Sequence, residues 1–182
     1  VWIGEQAVTR LGRNELAQRV GYVEQQRTGA CMTVFNAVLL GRKPYIQWDL
    51  SPNDTAVAAQ ALETLGLGDY ALRTLDELSG GELQKVVIAR ALAQEPEIFL
   101  MDEPTSSLDL KNQLEVLRLI RQITCERGVA TVVAIHDLNL ALRFADRFLL
   151  LKDQRVFAAG GAEVMTPENI EAVYRIHVHI IE

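Results

Sequence analysis

Residues 78–109 read LSGGELQKVVIARALAQEPEIFLMDEPTSSLD, and the rest of the chain is organised around this stretch. Ser79 stands three residues before Glu82, which is the spacing of a capping box and predicts the start of a helix. Gly80 and Gly81 fall in the first turn, where glycine is unfavourable. They make sense if bare amides at the helix N-terminus must approach a phosphate. Taken alone, these four residues fit an ordinary capped helix better than a binding site.

A strand with two acids at its end follows the predicted helix. The apolar run IFLM, residues 98–101, predicts a strand that is covered on both faces. Asp102 and Glu103 come next, and ligands of open α/β sheets lie beyond the carboxyl ends of the strands. There Asp102 can hold Mg²⁺, and Glu103 can orient or deprotonate an attacking water. An isolated acidic pair is more often a solvated turn, but the LSGGE sequence upstream favours a site.

Five motifs resemble those of ABC-type ATPases and follow one another along the chain in the order of that family. Residues 78–84 resemble the signature motif, and residues 98–103 resemble the Walker B strand with its catalytic glutamate. Residues 106–109, SSLD, resemble the D-loop. Gln25 in VGYVEQ resembles the Q-loop glutamine, and His136 resembles the switch histidine. The resemblance covers most of the chain and is very specific.

The resemblance implies ATP and Mg²⁺ as ligands and divides the residues between two sites of a head-to-tail dimer. The residues implied in the site of their own chain are Gln25, Asp102, Glu103 and His136, with Asp102 and Gln25 at the metal. Those implied at the nucleotide of a second ATPase subunit are Ser79, Gly80 and Gly81, and Asp109 would cross the dimer interface.

His136 follows the apolar run of residues 129–135, which predicts a buried parallel strand. A lone histidine in such a place is usually a core residue. In this series of motifs the catalytic interpretation is favoured, because the imidazole can donate a hydrogen bond to a γ-phosphate oxygen and hold the Glu103 water in line.

The expected fold class is α/β, with a P-loop NTPase-like core and a helical subdomain. Residues 1–26 would form the end of the N-terminal core and the Q-loop. Residues 27–95 would form the helical subdomain, which ends in the signature helix. Residues 96–182 would form the remaining core and the C-terminal end.

The Walker A pattern GxxxxGK[ST], which wraps phosphates in backbone amides and supplies a lysine, is absent from the 182 residues. The chain therefore resembles roughly the last two thirds of an ABC ATPase domain, as a fragment or an incomplete gene product. The strand that carries this loop is expected beside the Asp102 strand, so its loss predicts marginal stability and aggregation for this chain alone. Such a chain would bind little ATP itself, whereas the intact domain would be a transport-coupled ATPase.

Residues 39–45, LLGRKPY, resemble the ABC ATPases that drive import of iron chelates, haem and cobalamin. The alternative is a basic loop with exposed aromatics. The resemblance implies transmembrane permease subunits as partners, indirectly a substrate-binding protein, and a peripheral location on the cytoplasmic face of the membrane. Exposed Tyr45 and Trp48 would belong to the contact with the membrane subunit.

Two other functions remain open at this point. A truncated, non-catalytic remnant or regulatory partner would explain the absent Walker A motif. A soluble ABC ATPase acting on nucleic acid or ribosomes would show a long coiled-coil insertion or a second signature motif, and the sequence has neither. A net charge of −6 and a pI of about 5.2 also argue against a nucleic-acid partner. Cys31 and Cys125 predict free thiols.

Overall fold

The computed structural model describes residues 1–24 and 31–178. The helices in this part of the chain are α1 Arg13–Arg19, α2 Val34–Leu39, α3 Pro52–Thr64, α4 Gly80–Leu92, α5 Leu110–Arg127, α6 Leu138–Phe144 and α7 Pro167–Tyr174. The strands are β1 Trp2–Ile3, β2 Gln6–Ala7, β3 Val20–Val23, β4 Ile98–Asp102, β5 Ala130–Ala134, β6 Phe148–Lys152 and β7 Arg155–Gly160. None of the described helices is long and apolar enough to cross a membrane.

The chain divides into two compact units, Val1–Ile135 and His136–Glu182. The first unit holds the β1–β2 hairpin, helices α1 to α5 and a parallel sheet of β3, β4 and β5. The second holds helices α6 and α7 and the antiparallel β6–β7 hairpin. The finer division into residues 1–26, 27–95 and 96–182 stays a prediction.

Local capping residues set where most of the helices begin. A side-chain oxygen at the N-cap accepts a hydrogen bond from a backbone N–H of the first turn, which satisfies a donor that has no partner inside the helix. The N-cap residues that do so are Thr33, Ser51, Ser79, Asp109, Asp137 and Thr166. Gly128 ends α5 in a left-handed conformation with φ of 64°.

The helical part of the first unit packs around α4. Helices α2 and α3 both lie against α4, and α4 also contacts β3 and α5. The side chains that fill this interior are almost fully buried and aliphatic or aromatic, namely Val34, Val38, Leu62, Ile88, Phe99 and Val116. Burial of these apolar surfaces is what holds the short helices together, because helices of this length are marginal in isolation.

The parallel sheet has the order β3-β4-β5, and its two faces differ in burial. Phe99 and Met101 of β4 point to the covered face and are 1% and 4% exposed. Tyr22, Leu100 and Val132 lie in register across the other face and are 38–57% exposed. The prediction that both faces of β4 and β5 are covered is therefore wrong, because the described residues cover only one face.

The neighbours of the Asp102 strand also differ from the expectation. In the described residues β4 has β3 on one edge and β5 on the other, with continuous registers on both sides. The expectation that the strand of the missing Walker A motif lies next to β4 was therefore wrong, because both of its edges are already hydrogen-bonded. Marginal stability of this chain alone stays a prediction.

The contact between Gly41 and α4 yields a stability prediction. A Cβ atom on Gly41 would overlap the carbonyl oxygen of Arg90, and backbone cannot move aside as the end of a side chain can. Gly41→Ala should lower the free energy of unfolding by about 2–3 kcal/mol, as overpacking does. Urea denaturation would measure the change.

Gly12 is the matched control, because a Cβ atom there would meet no atom within 4 Å and its φ of −68° suits alanine. Gly12→Ala should lower the free energy of unfolding by less than about 1 kcal/mol, since it alters only the N-cap of α1. Equal losses for the two variants would contradict the prediction.

Candidate functional site

The N-terminus of α4 is closed by the predicted capping box. The hydroxyl of Ser79 accepts from the backbone N–H of Glu82 at 3.4 Å, and the Glu82 carboxylate accepts from the Ser79 backbone N–H at 2.8 Å. The Ser79 hydroxyl donates to the same carboxylate oxygen at 2.7 Å. Hydrogen bonds from the side chain and then the backbone of Ser79 lower the pKa of Glu82. The box fixes the start of α4 at residue 80.

Gly80 and Gly81 differ in their surroundings. Gly80 is exposed, and a Cβ atom there would meet only a Leu108 methyl at 3.8 Å. Gly81 is buried, and a Cβ atom there would lie 3.1 Å from the side-chain amide of Asn112 in α5. Packing against Asn112 therefore explains why glycine stands at position 81, and the sequence alone did not reveal this reason. The exposed backbone at Gly80 is the part of this turn that an anion can reach.

Asp109 caps α5 and holds Asn112 in place. One carboxylate oxygen accepts from the Asn112 backbone N–H at 2.8 Å, and the other accepts from its side-chain amide at 2.9 Å. Because Asn112 lies against Gly81, Asp109 supports the same turn of α4 from the neighbouring helix. The structure thus brings Ser79, Gly80, Gly81 and Asp109 into one region of the first unit.

The acidic pair lies at the carboxyl end of β4. Asp102 is the last residue of the strand, pairs with Ala134 of β5 and has an exposed side chain. Glu103 is half-buried and has a left-handed backbone with φ of 46°. Such a conformation is costly for a residue with a side chain, and it persists only where neighbours enforce it.

Three hydrogen bonds enforce the turn at Glu103. Its N–H donates to the carbonyl of Ala134 at 3.0 Å, which continues the ladder one residue beyond the strand. The N–H and the hydroxyl of Ser106 each donate to the carbonyl of Glu103 at 3.2 Å. The backbone that carries the predicted catalytic carboxylate is therefore fixed from both sides.

Asp102 fits the ligand set that Mg²⁺ uses with phosphates. Among the described residues, no group of three or more His, Cys, Asp or Glu side chains is arranged for a metal. Mg²⁺ is usually held by one or two carboxylates together with substrate phosphates and water, so a single exposed carboxylate at a strand end suits it.

The two remaining predicted site residues lie outside the described part of the first unit. His136 begins the second unit, and its side chain is exposed. Gln25 lies outside the described residues, which resume at residue 31. The roles predicted for both stay predictions.

The aromatic residues of the GRKPYIQW segment are not equivalent. Trp48 is 93% exposed, as predicted for a docking residue. Tyr45 is half-buried, and its hydroxyl donates to the carbonyl of Gln94 at 2.8 Å. The expectation of an exposed Tyr45 is therefore wrong, because the ring lies against the end of α4.

Comparisons with known proteins show which family this chain resembles. A family model described as ABC transporter matches residues 1–106. The chain is 56% identical over 173 residues to an uncharacterized ABC transporter ATP-binding protein of Methanocaldococcus jannaschii, and the match covers 95% of the chain and 68% of the relative. It is 37% identical to the iron(3+)-hydroxamate import ATP-binding protein of Bacillus subtilis, covering 100% of the chain and 69% of the relative.

A third relative and two solved structures extend the comparison. The hemin import ATP-binding protein of Rhodococcus jostii is 41% identical, and the match covers 92% of the chain and 58% of the relative. An inward-facing transporter classed as metal-chelate type superimposes with a TM-score of 0.82 at 35% identity, over 87% of this chain and 65% of that one. A dimeric ATP-binding cassette bound to ADP and phosphate superimposes with a TM-score of 0.72 at 32% identity. The match covers 88% of this chain and 72% of that one. The chain spans 58–69% of the length of the three relatives.

The capping box of α4 predicts a pH-dependent stability. Ser79→Ala should lower the free energy of unfolding by about 1 kcal/mol at pH 7. The pKa of Glu82 is lowered in the folded state, so its contribution is complete above the ordinary carboxyl pKa and is lost as the pH falls through the lowered value. The difference in the free energy of unfolding between wild type and Ser79→Ala should therefore shrink from pH 7 towards pH 3. Urea denaturation at each pH would measure it.

Thr33→Ala is the matched control, because Thr33 caps α2 and no acidic residue lies in the first turn of that helix. Its stability loss should not depend on the Glu82 titration. A Ser79→Ala difference that stays constant with pH would contradict the interpretation.

Proposed function

Because the chain belongs to the ABC transporter family of ATP-binding proteins, we propose that it forms part of the ATP-hydrolysing subunit of an importer for iron chelates, haem or cobalamin. The observation that carries ATP hydrolysis is the acidic pair at the end of β4, with Glu103 held in a left-handed turn. The importer class is supported by the relatives, which are import ATP-binding proteins for hydroxamate-bound iron, hemin and cobalamin.

Asp102 and Glu103 have separate tasks in this proposal. Mg²⁺, when bound, neutralises charge on the phosphates, and the exposed carboxylate of Asp102 is the group that holds it. Glu103 is the next residue, and its carboxylate orients or deprotonates the attacking water. The hydrogen bonds of the Glu103 backbone to Ala134 and Ser106 hold the backbone from which that carboxylate projects.

The N-terminus of α4 supplies the second half of a nucleotide site. The first turn of a helix carries unpaired N–H groups and a partial positive charge, which favour a phosphate. Gly80 leaves this turn open, while the Ser79 hydroxyl is already bonded to Glu82. We assign the turn to the γ-phosphate of ATP on a second ATPase subunit in a head-to-tail dimer. The dimeric ATP-binding cassette similar to this chain supports that arrangement.

Trp48 supports a membrane partner. An indole that is 93% exposed is unusual on a free surface and typical of a residue that anchors a protein contact. We propose that the Trp48 loop contacts a transmembrane permease subunit, which places this chain at the cytoplasmic face of the membrane. A substrate-binding protein would act through that permease.

Glu103→Gln tests the catalytic proposal. In the full-length protein, this variant should lower the rate of Mg²⁺-dependent ATP hydrolysis by about 10²–10⁴-fold, because the amide cannot accept a proton from water. ATP binding should persist, since Glu103 is not assigned to the nucleotide. Phosphate release and calorimetric ATP binding are the two measurements.

The control lies at the other end of the same strand. Glu97 precedes β4, is exposed and pairs with Arg19 at 3.3 Å. Glu97→Gln should leave turnover unchanged. Unchanged turnover in Glu103→Gln would rule out the role of Glu103.

Asp102→Asn tests the metal assignment independently. The neutral amide binds Mg²⁺ more weakly than a carboxylate does, so the Mg²⁺ concentration for half-maximal turnover should rise by about tenfold or more. A Mg²⁺ titration at fixed ATP measures it, with Asp76→Asn as an exposed control. An unchanged Mg²⁺ concentration for half-maximal turnover in Asp102→Asn would show that another group holds the metal.

A further inference from the structure

Arg42 is a buried cation in the first unit, with only 2% of its surface exposed. Its Nε donates to a carboxylate oxygen of Asp54 at 3.0 Å. Its Nη1 donates to the carbonyl of Ala93 at 2.8 Å and to the carboxylate of Glu95 at 2.7 Å. Buried charges are tolerated when they are paired and hydrogen-bonded, and these partners meet that condition.

The three partners belong to different parts of the chain. Asp54 lies in the first turn of α3, where Ser51 donates to it through both backbone and side chain. Ala93 is the C-cap of α4. Glu95 has a left-handed backbone with φ of 49° in the connection from α4 to β4. One guanidinium therefore joins the start of α3, the end of α4 and the approach to the strand that carries Asp102.

Neighbours of Arg42 complete the attachment to α4. The Tyr45 hydroxyl donates to the Gln94 carbonyl at 2.8 Å, and the Tyr45 ring lies 4.0 Å from the Arg42 guanidinium carbon. Gly41 packs directly on the Arg90 carbonyl. The last carbonyls of a helix have no donors within the helix, and a cation there also favours the helix dipole. Residues 41–45 thus act as a cap for the C-terminus of α4, and we call them the α4 clamp.

The α4 clamp affects the position of the N-terminus of α4, at the opposite end of the helix. At about 1.5 Å per residue, the 13 residues of α4 span about 20 Å, so a tilt of about 5° at the clamp moves Gly80 by about 2 Å. Misplacement of a catalytic group by about 1 Å can slow a reaction about a hundredfold. The direction in which α4 presents its N-terminus therefore depends on how firmly its C-terminus is held.

We propose that Arg42 is a positioning residue for the phosphate-facing end of α4, acting through the Ala93, Glu95 and Asp54 contacts. The inference rests on the proposed function for its catalytic consequence. Its structural part, that removal of Arg42 loosens α4 as far as Ser79, does not depend on ATP hydrolysis.

The kinetic test compares Arg42→Met with Lys43→Met in the full-length protein. Lys43 is the adjacent, exposed cation, so Lys43→Met removes the same charge but none of the side-chain contacts by which Arg42 and Tyr45 hold the end of α4. Arg42→Met should lower kcat by about tenfold at a temperature where circular dichroism shows it folded, with the KM for ATP changed less than about twofold. Lys43→Met should match wild type in both constants.

Arg42→Lys serves as the conservative variant and as the deciding one where Arg42→Met does not fold. It keeps the charge, but an ammonium cannot reproduce the planar fork that reaches three partners. Its kcat should lie about threefold below wild type. An unchanged kcat in every Arg42 variant that folds, including Arg42→Lys alone where Arg42→Met does not fold, would overturn the positioning role.

Amide hydrogen exchange provides the readout that is independent of turnover. Exchange at residues 79–83 should be faster in the folded Arg42 variants than in Lys43→Met. Faster exchange confined to residues 90–95 would show a local cap and overturn the proposal. If wild type does not hydrolyse ATP, or Glu103→Gln changes nothing, the proposed function fails, while the exchange result still decides the role of Arg42.

Discussion

The pairing of β4 with a neighbour on each edge is the constraint on which the candidate site depends. The ladder with β5 runs one residue past the strand, to the bond from Glu103 to Ala134, so the chain must turn at once and does so through a left-handed residue. Successive side chains of a strand alternate in direction, and Glu103 lies in the left-handed turn that follows the strand. An exposed Asp102 and a half-buried Glu103 result from this geometry, and it suits them to different tasks.

Residues that the family resemblance assigns to ligands also hold this chain together. Gly81 makes room for Asn112, and Asp109 fixes Asn112 while it caps α5. The N-termini of α4 and α5 are therefore joined by an intramolecular contact at the place proposed to meet a second subunit. Loss of function in a variant at either position does not by itself identify a residue that touches nucleotide, because the packing of the two helices changes as well.

Much of the fold could be predicted because its signals are local. The Ser-x-x-Glu spacing, the Thr-Pro-Glu start of α7 and Gly128 each act within one turn of helix. Exposure of Leu100 could not be predicted, because a short apolar run does not say whether both faces are covered. The burial of Arg42 could not be predicted either, because its acidic partners lie 12 and 53 residues away in the sequence. For the candidate site, the acidic residue types and their position at the end of β4 could be predicted. The left-handed turn at Glu103 could not.

The ion pairs that Arg42 of the α4 clamp makes with Asp54 and Glu95 respond to heat differently from the apolar core. Hydration of ions becomes less favourable as temperature rises, so the penalty for keeping Arg42 and Asp54 out of water decreases on warming. Apolar burial around Ile88 and Phe99 gains no comparable advantage. The end of α4 is thus held by ion pairs whose desolvation cost falls on warming, which helps the helix keep its direction as the temperature rises towards melting.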